Sequence, residues 1–327
     1  MNTQLDTKRI VIFLALVLGI SWAVALVIYT SSMMETNPAM GMTLANYIII
    51  MTPALAAIIT RLVTKEGWAQ LWLRPNFRRG WRFYLAAWLL PLAAVVVGAA
   101  TYYLLYPQSL DTGLTAVQTL FASSAGATAA NPWLILLFLI LQSAIVAVPI
   151  NAVVSMGEEF GWRAYLLQKL MVFFSGPPST STEASNHPNG FSAAAARKAS
   201  LLVGLVWGVW HWPLFFLSMR IDASMPLLYP LIYLLSTCAM SVLLCWVTLR
   251  SGSVWPAAIG HGAINAFSGL VALTMKGPAN MLLGPMTGSL IGSVGFFLLA
   301  LVLLVNRNAF AMGEEARSEK SPAIVGA

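Results

Sequence analysis

Long apolar runs, each about the length of a bilayer-crossing helix, alternate with short polar connections along the chain. A spanning helix needs about 20 largely apolar residues, and eight windows meet that requirement: 10–29, 43–63, 83–106, 133–157, 199–218, 226–249, 253–273 and 284–305. The pattern predicts an all-α, polytopic transmembrane bundle of about eight spanning helices. The first window follows a short basic start, MNTQLDTKRI, that resembles a signal-peptide n-region. No convincing small-residue cleavage site follows its long core, so it is expected to be a retained helix.

Composition agrees with a membrane protein. Hydrophobic residues make up 59% and charged residues 9%, against roughly a quarter charged in a soluble domain. The net charge of +7 does not point to nucleic acid, because the basic residues stand beside hydrophobic runs, where cations orient membrane segments. Lys65, Arg74, Arg78, Arg79 and Arg82 lie between windows two and three, whereas 30–42 and 107–132 hold no Lys or Arg. That alternation places both termini in the cytoplasm and predicts an integral, multi-pass protein, of the plasma membrane in a bacterial cell. Cys238 and Cys245 sit in the apolar run LLSTCAMSVLLCWV and read as small apolar fillers.

Three segments follow from this layout. Residues 1–130 carry the first three spans and the aromatic, basic stretch KEGWAQLWLRPNFRRGWR, which has an interfacial composition. Residues 131–272 form a helical core with a polar insertion at 175–198, SGPPSTSTEASNHPNGFSAAAARK, expected to be a mobile cytoplasmic linker in which His187 is solvated. Residues 273–327 hold the last span and a polar cytoplasmic tail.

Of the eleven Asp and Glu residues, only Glu158 and Glu159 continue a predicted span, in MGEEFGWR; of the three histidines, His211 and His261 lie within apolar segments. Ionisable groups at membrane depth are costly and face a bundle interior or a wet cavity, which makes these four functional-site candidates. Glu158 is eleven residues before Lys169, His261 eleven after Arg250 and His211 thirteen after Lys198. At about 1.5 Å per residue, all three lie roughly 16–20 Å from their basic markers and share one layer.

Helical angle separates the two glutamates. Glu159 and Arg163 are four apart, about 40° around the axis, and pair on one face; Glu158 is about 140° from Arg163 and has no cation on its own helix. An unpaired carboxylate in a low-dielectric site suits a general base. His261 and Asn265 are also four apart, so two polar donors project side by side, as an oxyanion hole requires. Gly157 and Gly161, and again Gly204 and Gly208, repeat the GxxxG spacing of close helix approach. Pro213, two residues past His211, is either a kink that opens a cavity or an ordinary tolerated membrane proline. On the residues alone, the acid and histidine cluster reads equally as a register-fixing hydrogen-bond network or a proton relay of a transporter, although no repeated halves of the transporter kind are visible.

EEFGWR, Glu158 to Arg163, matches the EExxxR signature of the CPBP family of intramembrane proteases, the CAAX endopeptidase and bacteriocin-processing group. The segment holding His211 and then HGAIN, His261 to Asn265, follow in the order of that family's second and third motifs, so residues 130–270 resemble it. The resemblance implies an intramembrane endopeptidase whose site opens to the cytoplasmic side. It also implies that Glu158 and His211 activate water, that His261 and Asn265 stabilise the oxyanion, and that Glu159 and Arg163 form a structural pair. The family's second motif usually reads FxxxH, and here the residue four before His211 is Trp207, which implies altered packing around the substrate. No HExxH, no GxSG and no aspartate within a span offers another intramembrane protease chemistry.

The implied partners are the lipid bilayer and a membrane-associated peptide or protein, a prenylated CAAX tail among them; a non-catalytic adaptor on the same fold is the other reading. Trp207 and Trp210, with Trp212, Phe215 and Phe216, either line an apolar substrate groove or face lipid and neighbouring helices. Glu158, His211 and His261 can in principle hold zinc with water in the fourth position, although His261 cannot serve as ligand and oxyanion donor at once. Zinc use and direct water activation both remain open at this point.

Overall fold

The computed structural model describes residues 3–125, 131–175, 191–306 and 308–310. The central part of the polar insertion, with His187, and the tail from 311 lie outside the described residues. Among the described residues nine principal helices follow one another: α1 (Thr3–Thr30), α2 (Pro38–Val63), α3 (Phe77–Leu105), α4 (Thr115–Ala125), α5 (Pro132–Ser175), α6 (Ala193–Ile221), α7 (Tyr229–Ser251), α8 (Trp255–Val271) and α9 (Val294–Val305). Among the described residues there are isolated bridges, such as Leu110 with Met275, but no strand. Seven of the helices, all but α4 and α9, are long and apolar enough to cross a bilayer. The protein is an all-α, multi-pass integral membrane protein.

Four details depart from the hydropathy windows. The eighth window is only half helical: Gly284 and Gly288 adopt φ of +144° and +99°, conformations open to glycine rather than to other residues, and helix begins only at Val294. α5 does not stop at the acids but continues for 44 residues to Ser175. It contains two π-helical turns, Ser143–Ala147 and Phe160–Leu166. Polarity does not end the helix there because Glu159 and Arg163 pair inside the bundle. The connection 107–132 contains α4. The insertion at 175–198 is shorter than its composition suggests, since Ser175 still belongs to α5 and α6 starts at Ala193, capped by the Ser192 hydroxyl.

Small residues set the helix contacts, as expected where lipid removes most of the hydrophobic drive between helices. A Cβ at Gly161 would meet the Pro53 backbone of α2, and one at Gly204 would meet Cys238 Cα and the Thr237 carbonyl of α7. Gly262 of α8 packs in the same way on the Ala152 backbone of α5. These approaches draw α2, α6, α7 and α8 around the middle of α5. α6 runs through Pro213 as one helix.

Charges clasp both ends. Glu66, just past α2, takes Lys169 of α5, Arg9 of α1 at 3.4 Å, Arg61 at 3.6 Å and the Tyr165 hydroxyl at 3.1 Å, while Asp6 takes Lys169 at 3.3 Å and Arg9 at 3.1 Å. The start of α1, the end of α2 and the end of α5 therefore share one end of the bundle. At the other end Arg220 of α6 pairs with Glu35 at 3.2 Å and covers the Tyr29 ring.

Gly204→Val is expected to lower the thermal midpoint in detergent by the equivalent of about 1–3 kcal/mol, the cost of overpacking a filled contact. Gly269→Ala, where an added Cβ meets nothing within 4 Å, is expected to leave it unchanged.

Candidate active site

Glu158 is the penultimate residue of Val148–Glu159, the α-helical stretch of α5 that precedes the second π-helical turn, and its side chain is buried. Its Oε2 accepts the Trp207 indole N–H of α6 at 2.7 Å. Its Oε1 faces His261 Nε2 of α8 at 4.0 Å. Glu159, fully buried, turns to the other side. Its Oε1 accepts from Arg163 Nη1 at 2.8 Å and from His261 Nδ1 at 2.8 Å. The helical spacing foretold the first of these bonds. The second ties α5 to α8 and makes Glu159 the common acceptor of an arginine and a histidine.

Trp207 is the other convergence point. Its ring lies under the Arg163 guanidinium at 4.7 Å and meets the His261 ring edge-on at 5.1 Å. Its carbonyl accepts from His211 Nδ1 at 2.8 Å. A carbonyl only accepts, so Nδ1 carries the proton, and a neutral His211 keeps its Nε2 lone pair free. The rings of Trp207, Trp210, Phe215 and Tyr233 surround this imidazole. Phenylalanine at position 207 could keep the ring and the carbonyl but not the donor to Glu158.

Glu158, His211, His261, Asn265 and Trp207 line one cavity of about 330 Å³, a size within the range of small-ligand sites. Four of the five are the polar residues singled out in the sequence, drawn together from α5, α6 and α8. Trp210 is not part of the cavity wall. It is buried, and its indole N–H reaches Ser21 and Thr52 at 2.8 and 3.0 Å, which fastens α6 to α1 and α2. Glu159 and Arg163 stand behind the cavity rather than in its wall. Asn46 of α2, Tyr233 of α7, Ser268 of α8 and Thr287 also line it. Asn46 is the one with a sequence signal, an amide in an apolar helix.

Among the described residues no three His, Cys, Asp or Glu side chains gather as a metal-binding group. Glu158 Oε2 is engaged by Trp207, and the histidine Nδ1 atoms are engaged by Glu159 or a main-chain carbonyl, which leaves Nε2 as the remaining nitrogen of each ring, as in metal-bound histidines.

The fold and site define a polytopic helical membrane protein with a buried carboxylate and imidazole centre. Comparison with known proteins narrows the class: residues 130–267 match the family described as type II CAAX prenyl endopeptidase Rce1-like. A stretch of 121 residues, 36% of this chain, is 29% identical to "CAAX prenyl protease 2" of Methanococcus maripaludis and covers 37% of it. The chain thus spans little more than a third of that relative's length. Over this central segment the protein is similar to the family that its three motifs resemble.

Replacing Glu159 with Gln leaves Arg163 with a neutral partner in a fully buried place. Glu159→Gln is expected to destabilise the protein by about 3–5 kcal/mol, the usual cost of breaking a buried pair. Glu158→Gln, whose amide oxygen still accepts from Trp207, is expected to cost far less. Paired thermal melts in detergent would show the difference.

Proposed function

We propose that the chain is an intramembrane endopeptidase that hydrolyses a peptide bond of a membrane-associated peptide or protein. A prenylated CAAX tail is the first substrate to try, because the curated relative is named for that activity. The reading rests above all on one observation: Glu158 Oε1 and His261 Nε2 face each other at 4.0 Å in the wall of a cavity that His211 and Asn265 share.

In the proposed reaction Glu158, with His211 in the same cavity wall, takes a proton from water as the oxygen attacks the scissile carbonyl carbon. The carbonyl π pair moves onto its oxygen. The Asn265 amide and His261 Nε2–H donate to that oxyanion, His261 doing so as an imidazolium whose Nδ1–H is held by Glu159. Collapse of the tetrahedral intermediate breaks the C–N bond, and Glu158 returns the proton to the leaving amine. Arg163 balances the charge of Glu159, and Trp207 holds Glu158 Oε2 so that Oε1 is left for water. No step runs through a metal. The end of the bundle carrying Glu66 and Lys169 is taken as cytoplasmic, after the charge pattern of the loops.

The decisive assay is cleavage of a farnesylated CAAX reporter and a panel of unmodified hydrophobic peptides by purified protein in detergent. Glu158→Gln is expected to lower kcat at least about 10³-fold, in the range of lost general acid–base catalysis, with an unchanged melt; a chelator is expected to have no effect. Cleavage that survives in Glu158→Gln would overturn the proposal.

Trp207→Phe keeps the aromatic surface and the carbonyl to His211 but removes the donor to Glu158. A hydrogen bond to a charged group contributes about 1.5–3 kcal/mol. The expected result is a kcat reduced at least about tenfold at nearly constant KM, read in the same assay.

A further inference from the structure

Besides Trp207 and Tyr233, the cavity wall carries four neutral polar side chains: Asn46 from α2, Asn265 and Ser268 from α8, and Thr287 from the segment before α9. We propose that these four form a subsite that binds the main chain of an extended substrate peptide, holding it across the carboxylate. The inference rests on the peptidase reading and adds to it how the substrate is recognised.

Two hydroxyls carry the argument. The oxygens of Ser268 and Thr287 are shielded from solvent and have no hydrogen-bond partner in the protein. Buried polar atoms are almost always paired, and an unpaired one costs about 1–3 kcal/mol. The default for a hydroxyl in a helix is the carbonyl one turn back. Thr248 and Ser251 of neighbouring α7 take it, at 2.8 and 2.7 Å from Leu244 and Val247. Ser268 does not. It follows His261 and Asn265 by seven and three residues, on the same stripe of α8 that faces the cavity.

Thr287 is brought in by the glycine-punctuated turns that keep the eighth hydrophobic window from forming a full helix. That segment is pinned rather than loose. Gly288 N donates to Ser293 Oγ at 3.0 Å, Leu290 N to the Leu282 carbonyl at 2.8 Å, and Gly288 packs on the Tyr233 ring. The distorted end of this span therefore has a use, which is to set Thr287 in the wall of the cavity that the stripe of α8 also lines.

The chemistry of the four side chains limits what they can bind. Asn, Ser and Thr each donate and accept, as a peptide main chain does. No Lys or Arg is among the described residues lining the cavity, and the His261 imidazolium is committed to the oxyanion, so a free carboxylate finds no counter-ion among these four. Amide N–H and C=O groups match the wall without regard to side-chain identity.

The test is a KM and kcat comparison of wild type, Ser268→Ala, Thr287→Val and the double variant, on a peptide whose cleavage is lost in Glu158→Gln. A series of that peptide with single main-chain N-methylations accompanies it. Each single variant is expected to raise KM about five- to tenfold, with kcat within twofold and a melting temperature equal to or above wild type. One N-methylation that weakens wild-type binding is expected to cost nothing further in the matching variant. A hydroxyl serving only the fold would lower the melting temperature and leave every N-methylation penalty intact. That result, or an unchanged KM with Glu158-dependent cleavage present, overturns the subsite. If wild type shows no Glu158-dependent cleavage at all, the peptidase reading itself fails and the subsite with it.

Discussion

The Glu159 carboxylate is the constraint around which the rest is arranged. It is fully buried and accepts from Arg163 on its own helix and from His261 on another. Charges out of water need such pairing, or the cost of taking them there is not recovered. With the pair closed, α5 continues as a helix through a stretch that its charges would otherwise break, and α8 is held with its imidazole toward Glu158. The carboxylate that faces the cavity is free to do so because its neighbour has taken the structural duty.

Trp207 performs a second coupling. One residue supplies a donor to Glu158, a ring under Arg163, an edge to His261 and a carbonyl to His211. Such convergence requires α6 to come close, and Gly204 and Gly208 permit it where α6 meets α7. Helix contact and site geometry are thus one problem here, solved by the placement of small residues along α5, α6 and α8.

Most of the bundle is legible in the sequence, because a run of about 20 apolar residues has few other fates. The Glu159–Arg163 bond is legible as well, since a four-residue spacing fixes it within one helix. The bond from Glu159 to His261 is not, because it spans 102 positions and depends on how α8 is rotated against α5. For the same reason the sequence left Trp210 between a groove and lipid or neighbouring helices, whereas the hydroxyls of Ser21 and Thr52 draw it into the core. The overlong eighth window had a local signal, Gly284, Pro285, Gly288 and Gly292 within nine residues, that average hydropathy conceals. Ser268 and Thr287 carry no signal of their own, since isolated hydroxyls in apolar segments usually bond their own helix.

The length of α5 has a consequence for where the centre sits. From Pro132 to Glu158 the helix advances 26 residues, about 39 Å along its axis at about 1.5 Å each. The hydrocarbon slab is only about 30 Å thick, and even a 40° lean, at the limit of common tilts, uses up no more than that. If Pro132 stands at one face of the slab, Glu158 arrives at the opposite face rather than at its middle. The carboxylate is then buried in protein yet near bulk water, so the water of the proposed hydrolysis would need no channel through the membrane. A chain resting on the surface can reach it without being pulled into the oil.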